Sequence, residues 1–244
     1  ESMMGDNESV KNNDHVAINA WTVLDRAGQR EFPLDDSSVL EIWGYTDSFS
    51  YYPGDEVRLQ VHTTALQFDI VIFRDGFEQK KVYSKDNVVG TRQKTDEDAY
   101  ETGCNWKDTH SFKVGKEWET GAYLILLKAK DKSGHAIERE SFFVVRSASP
   151  GKENNIAFIL STATYTAYND WGGANHYRRV QNGVPLDLPA PLLALDRPMA
   201  RGFLRLPVGA PRYSEYALQR PMEMTRYPWL EWAFAYEYSR HYPD

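Results

Sequence analysis

Between residues 39 and 145 apolar residues recur at every second position in short runs, and each run stops at a turn signal. This feature narrows the fold most, because a period of two places alternate side chains on opposite faces of an extended strand. Val57, Leu59 and Val61 alternate just after Pro53-Gly54-Asp55, a turn tripeptide. The stretch FDIVIFRDGFEQKKVYS reads as two strands joined at Asp75-Gly76, a strong hairpin signal. HSFKVGKEWETGAYLILLKAKDKSGHAIERESFFVVRS reads as three more, with turns at Glu119-Thr120-Gly121 and Ser133-Gly134. Short strands at this spacing predict an immunoglobulin-like antiparallel β-sandwich over residues 39–148. The polar stretch Asn87–Lys107, which carries DEDAYETG, reads as a long loop. Residues 1–38 form an N-terminal arm in this reading, polar and aperiodic over residues 1–15.

The pattern then changes. Residues 149–155 read as a linker, followed by NIAFILST, a continuous apolar run like a buried parallel strand. That run leads into TATYTAYNDWGGANHY, which combines tyrosines, a tryptophan, a Gly-Gly pair, Asn, Asp and His. Open α/β sheets place their ligands just past the C-terminal ends of their strands. Residues 183–228 hold eight prolines and little periodicity, but their Leu, Tyr and Met content predicts a segment wrapped over a surface. The stretch YPWLEWAFAYEYSRHYPD reads as a helix with Trp229, Trp232, Ala233 and Tyr236 on one face. One strand makes no sheet. Residues 156–244 are therefore expected to be the N-terminal part of an α/β domain that another polypeptide completes.

Charge and cysteine content exclude several classes. The net charge of −7 argues against non-specific nucleic-acid binding. It is uneven, with 10 Lys+Arg against 9 Asp+Glu in residues 151–244, so that residues 1–150 carry −8. No apolar run approaches the roughly 20 residues that span a bilayer, so no membrane association is expected. Cys104 is the single cysteine, which excludes an internal disulfide and a multi-cysteine metal site and fits a reducing, cytoplasmic setting. No Gly-x-Ser-x-Gly elbow and no Walker or Rossmann glycine pattern occurs. DEDAYE lacks the glycine and spacing of an EF-hand loop and reads as a solvated acidic loop. His62, His110 and His135 show no metal-ligand spacing.

TYTAYNDWGGANHY resembles the signature of the large (β) subunit of N,N-dimethylformamidase and its relatives. In that family a strand is followed by Thr-x-x-Ala-Tyr-Asn-x-Trp-Gly-Gly, with a further tyrosine beyond. The matching positions are Thr164, Ala167, Tyr168, Asn169, Trp171, Gly172, Gly173 and Tyr177. LDRPMARGFLRLPVGAP, WLEWAFAYEYS, GYTDSFSYYPGDEV and TGAYLILLKAK are also similar to family segments, so the resemblance covers roughly residues 40–244. It implies a β-sandwich packed on a flavodoxin- or glutamine-amidotransferase-like α/β domain. It also implies a mononuclear iron, expected as Fe(III), held by two tyrosines and a glutamate and acting on a small amide substrate. Phenolate and carboxylate oxygens suit a hard cation, which polarises an amide carbonyl and lowers the pKa of bound water.

Carried over residue by residue, Tyr168 is a metal ligand. Tyr213 is a candidate for the second tyrosine, with Tyr216 beside it, by order along the chain only. Asn169 is a candidate hydrogen-bonding group for substrate or for the ligands, and Tyr177 a second candidate catalytic residue. Thr164, Trp171, Gly172, Gly173 and His176 are candidate pocket residues. The glutamate belongs to a Gly-His-Asp-Glu-Tyr-Trp motif that this sequence lacks: either the chain is a fragment or, the preferred expectation, a second polypeptide in a hetero-oligomer supplies it. A structural reading stands beside each assignment: Tyr168 as a tyrosine satisfying buried backbone, Asn169 as a turn residue, Trp171 and Tyr177 as aromatic packing. Two functions remain open on the sequence. One is a subunit of a dimethylformamidase-like metal-dependent amidohydrolase. The other is a binding or assembly module whose sandwich takes a carbohydrate or a protein.

Overall fold

The computed structural model describes residues 32–33, 36–152, 155–169, 171–177, 179–181, 184–186, 188–200 and 204. Their architecture is β-rich. The strands are β1 (Ile42–Thr46), β2 (Ser50–Tyr51), β3 (Glu56–Thr63), β4 (Gln67–Arg74), β5 (Lys80–Val89), β6 (Asp108–Lys113), β7 (Gly121–Lys130), β8 (Ala136–Val145), β9 (Arg179–Gln181) and β10 (Val184–Leu186). Two short helices are described, α1 (Ala99–Thr102) and α2 (Thr162–Tyr168).

One sheet has the order β1-β3-β6, and a second has β2-β8-β7-β4-β5. Neighbours are antiparallel throughout, except for the short parallel pairing of β2 with β8. The two sheets share one core. Ile42, Val57, Leu59, Val61 and Phe112 come from the first; Phe68, Ile70, Ile72, Tyr123, Ile125, Leu127, Phe143 and Val145 come from the second. Val57, Leu59 and Val61 are the alternate positions that the sequence marked as one face.

β7 departs from simple alternation, and its sequence explains why. AYLILL is apolar at successive positions because both faces of the strand are covered. Tyr123, Ile125 and Leu127 face the shared core, while Leu124 and Leu126 enter a second cluster with Trp43, Tyr45, Trp106, Phe142 and Trp171. A strand buried on both faces reads as a continuous apolar run. The second cluster ties the aromatic signature to the sheets.

The turn at Pro53-Gly54-Asp55 forms as its chemistry predicts: Gly54 has φ 95° and the Asp55 carboxylate accepts from Tyr52 N at 2.7 Å. The β4–β5 hairpin also forms, but Arg74 pairs with Lys80, so Asp75-Gly76 lies inside a longer loop rather than closing a two-residue turn. The stretch expected as one long loop is more ordered than its polarity predicts. β5 runs on to Val89, and DEDAYE leads into α1 with its acidic residues exposed, the solvated run that the sequence predicts. The Gln93 side chain crosses the base of this excursion, donating to Val61 O and Lys107 O and accepting from Lys107 N.

The apolar run expected as a buried strand is not one here. Residues 156–160 have no assigned secondary structure, and Ile156, Phe158 and Ile159 are 88%, 88% and 85% exposed. Among the described residues no strand lies beside them to pair their backbone or cover their side chains. Within 183–228, the described residues 188–200 run along the α1 excursion, as expected of a wrapping segment. Ala194 N donates to Tyr100 O and Cys104 N to Asp196 O, each at 2.8 Å. The helix expected near the C-terminus lies outside the described residues.

Candidate functional site

α2 is short because its sequence gives it little support. Ser161 stands at its start without a side-chain cap bond, and Thr166 bonds back to Thr162 O at 3.0 Å. Packing holds it instead. Tyr165 and Tyr168, three residues apart, present one face to the second cluster, and the Tyr165 ring lies 5.2 Å from that of Phe142. Burial raises the Tyr165 phenol above its ordinary range. Thr164, on another face, is exposed.

The helix stops at Asn169, whose backbone is extended (φ −65°, ψ 114°). The chain turns back through Gly172 (φ 86°) and Gly173 (φ 92°), a left-handed pair that side-chain-bearing residues resist. A Cβ on Gly172 would stand 3.2 Å from the Tyr100 Cβ of α1. So this glycine serves both the turn and a close approach. The return strand re-contacts α2 where His176 N donates to Ala167 O at 3.0 Å. The rings of Tyr168 and Tyr177 then meet, with centroids 4.6 Å apart.

Asn169 is 1% exposed, and its amide holds the loop together. Its oxygen accepts from Trp171 N at 3.2 Å and Ala200 N at 3.0 Å; its nitrogen donates to Pro198 O at 2.9 Å. Trp171 is fully buried among Phe32, Trp43 and Trp106, with ring centroids 6.0 to 6.1 Å away. His176 is exposed, and its Nδ1 lies 2.7 Å from Ala190 O. A carbonyl only accepts, so Nδ1 carries the proton and neutral His176 keeps a bare lone pair on Nε2. A backbone carbonyl behind the ring is also how metal-binding histidines are commonly oriented.

The structure thus gathers Tyr168, Asn169, Trp171, Gly172, Gly173, His176 and Tyr177 into one turn. Thr164 is apart from it, on the exposed side of α2. Tyr213 and Tyr216 lie outside the described residues. No group of three His, Cys, Asp or Glu side chains converges among the described residues. The remaining described histidines serve the sheets. His62 sits between the Gln93 backbone at 2.9 Å and the Glu41 carboxylate at 3.5 Å, and His110 meets the Tyr83 hydroxyl at 2.8 Å. Cys104 is buried, and that burial pushes its thiol well above the ordinary range, against the opposing charge of Arg197.

Sequence reasoning missed Arg197, the centre of the turn's polar network. It is 2% exposed. Its NH1 donates to Trp171 O at 2.6 Å and Ala174 O at 3.3 Å. Its NH2 donates to Asn169 O at 2.9 Å and Thr166 O at 3.2 Å, and its Nε to Ala194 O at 3.1 Å. Three of these carbonyls, from Thr166, Asn169 and Trp171, belong to the end of α2 and the start of the turn, where a cation complements the helix dipole. The available signal was an arginine directly before the apolar Pro198-Met199-Ala200 run in LDRPMARGF.

A cleft of 780 Å³ opens elsewhere, between the ends of β7 and β8 and the exposed run, lined by Tyr52, Val144, Arg146, Ile156 and Phe158 among others. The signature residues do not line it. No helix among the described residues is long and apolar enough to cross a membrane.

These features define a two-sheet β-rich unit with an aromatic, glycine-hinged turn docked on its second core. The family described as N,N-dimethylformamidase beta subunit-like, C-terminal, matches residues 69–242, more than two thirds of the chain. The chain belongs to that family, and the match runs across both the sheets and the turn. No curated protein matches it.

Proposed function

We propose that this chain is part of a dimethylformamidase-like metal-dependent amidohydrolase that cleaves a small amide C–N bond. Family membership together with the side-by-side placement of Tyr168 and Tyr177 in the signature turn carries this reading. Tyr168 suits a hard metal ion by donor chemistry, being a half-buried phenol next to a second one. Tyr168 would hold an iron ion with a second phenolate, for which Tyr213 remains the candidate along the chain. Bound there, the metal would supply Lewis-acid polarisation of the amide carbonyl. Asn169 acts by tying the turn just after Tyr168 to the 198–200 segment, its amide oxygen and one amide N–H being committed to Trp171, Ala200 and Pro198. Trp171, Gly172 and Gly173 hold the turn against the sheets. His176, held through Nδ1 at Ala190 O, stands next to Tyr177 in the chain.

In this reading the sheets are an immunoglobulin-like sandwich, and residues 156–244 begin an α/β domain. The exposure of Ile156, Phe158 and Ile159 supports a strand that lacks its neighbours. The rest of the enzyme, in this polypeptide or in a second one, would supply those neighbours and the glutamate ligand. The same exposed run beside the 780 Å³ cleft favours the second reading, a docking module without chemistry of its own. Iron analysis of the purified wild type and of Tyr168→Phe separates the two. Metal in the wild type and its loss in the variant support the enzyme. Equal occupancy in both removes Tyr168 from the site.

A further inference from the structure

The Arg197 guanidinium has five N–H donors, and five backbone carbonyls accept from it. Four of them, from Thr166, Asn169, Trp171 and Ala174, lie between α2 and the return toward Tyr177. They converge because a helix end and a left-handed glycine pair turn successive C=O groups inward. Such a focus of negative dipole ends in a water-excluded place is costly without a cation. The fifth carbonyl, Ala194 O, belongs to the segment that carries Arg197 and docks on α1. The side chain therefore joins three separate stretches: the end of α2, the glycine turn and the 194–200 segment.

We propose that Arg197 is the positioning residue of the Tyr168–Tyr177 pair. Resting on the amidohydrolase reading, its fixed charge and planar fork set the spacing of the two phenols before any metal arrives. A lysine cannot replace it, because a compact ammonium offers three donors and cannot span the fork. Ala200 N and Pro198 O, both bonded to Asn169, make the same docking from the other side. The proposal therefore concerns the turn and not the sheets.

Hydrogen exchange on metal-free protein tests it, with Arg197→Lys and Arg197→Gly compared with the wild type. Both variants are expected to exchange roughly 100-fold faster at amides 169 and 171–177, while β4, β7 and β8 keep their protection. Guanidinium ion at millimolar concentration is expected to restore protection in Arg197→Gly, and methylammonium is not. Rescue of that kind is outside what a generic packing loss produces. Unchanged exchange in Arg197→Lys overturns the proposal. So does a loss of protection that extends through β7 and β8 and that guanidinium does not reverse. Iron uptake, measured separately, divides the two claims. An exchange defect with no iron in the wild type sinks the amidase reading and leaves the positioning role. Normal iron binding with a normal turn in Arg197→Lys does the reverse.

Discussion

Replacing Gly172 by alanine strains the signature turn in two separable ways. The backbone sits at φ 86°, where an L-residue costs roughly 1–2 kcal/mol. The new methyl would also stand 3.2 Å from the Tyr100 Cβ, closer than ordinary contact, and α1 must move to admit it. Overpacking of that kind costs about 1–3 kcal/mol. Against these stands the stiffer unfolded chain, which returns about 0.4–1 kcal/mol. The expected net loss is about 2–3 kcal/mol. Gly54 supplies an internal control, since it has φ 95° and nothing within 4 Å of the added atom. Gly54→Ala should therefore show only the backbone part, about 1 kcal/mol. Urea unfolding at equal m-values measures both. Equal losses in the two variants would refute the close approach of the turn to α1, and no loss in Gly172→Ala would refute the left-handed geometry itself.

Trp171→Ala should cost about 3–5 kcal/mol in the same assay, because a fully buried indole leaves a cavity between Trp43, Trp106 and Phe32. Asn169→Ala should cost about 1–3 kcal/mol, since it leaves Pro198 O and the amides of Trp171 and Ala200 without their buried partner. Tyr168→Phe should abolish iron binding in the complete enzyme, read as metal content per chain. His110 is depressed below its ordinary value by burial, with Lys85 adding to it. Its folded form therefore binds fewer protons than its unfolded form near and below pH 6.5. That contribution to stability is full above this range and declines as pH falls. His110→Gln should flatten the slope of stability against pH there, as read by thermal melts across pH 5 to 8.

The period-two pattern made the sheets legible: Val57, Leu59 and Val61 lie in the shared core where alternation placed them. The continuous run in β7 was legible as a strand, but its second covering was not, because a run buried on both faces does not say what covers each. The turn was legible as a cluster through its Gly-Gly pair and its aromatics. What could not be read was the polar scaffold that holds it. Arg197 bonds backbone carbonyls, and carbonyl positions leave no mark on residue identity. Asn169 looked like a group aimed at a ligand, yet its partners are Trp171, Pro198 and Ala200, the last two about thirty residues away. The run at 156–160 shows the opposite limit. Its apolar character marks what it would do inside a sheet, but its strand state depends on neighbours that the described residues do not provide.

Native mass spectrometry of the purified protein, followed by a denaturing run, tests the central claim most directly. About one iron per copy of this chain is expected in the complete enzyme, with loss of the iron in Tyr168→Phe. A complete enzyme free of metal, or one that keeps its iron in Tyr168→Phe, would contradict it.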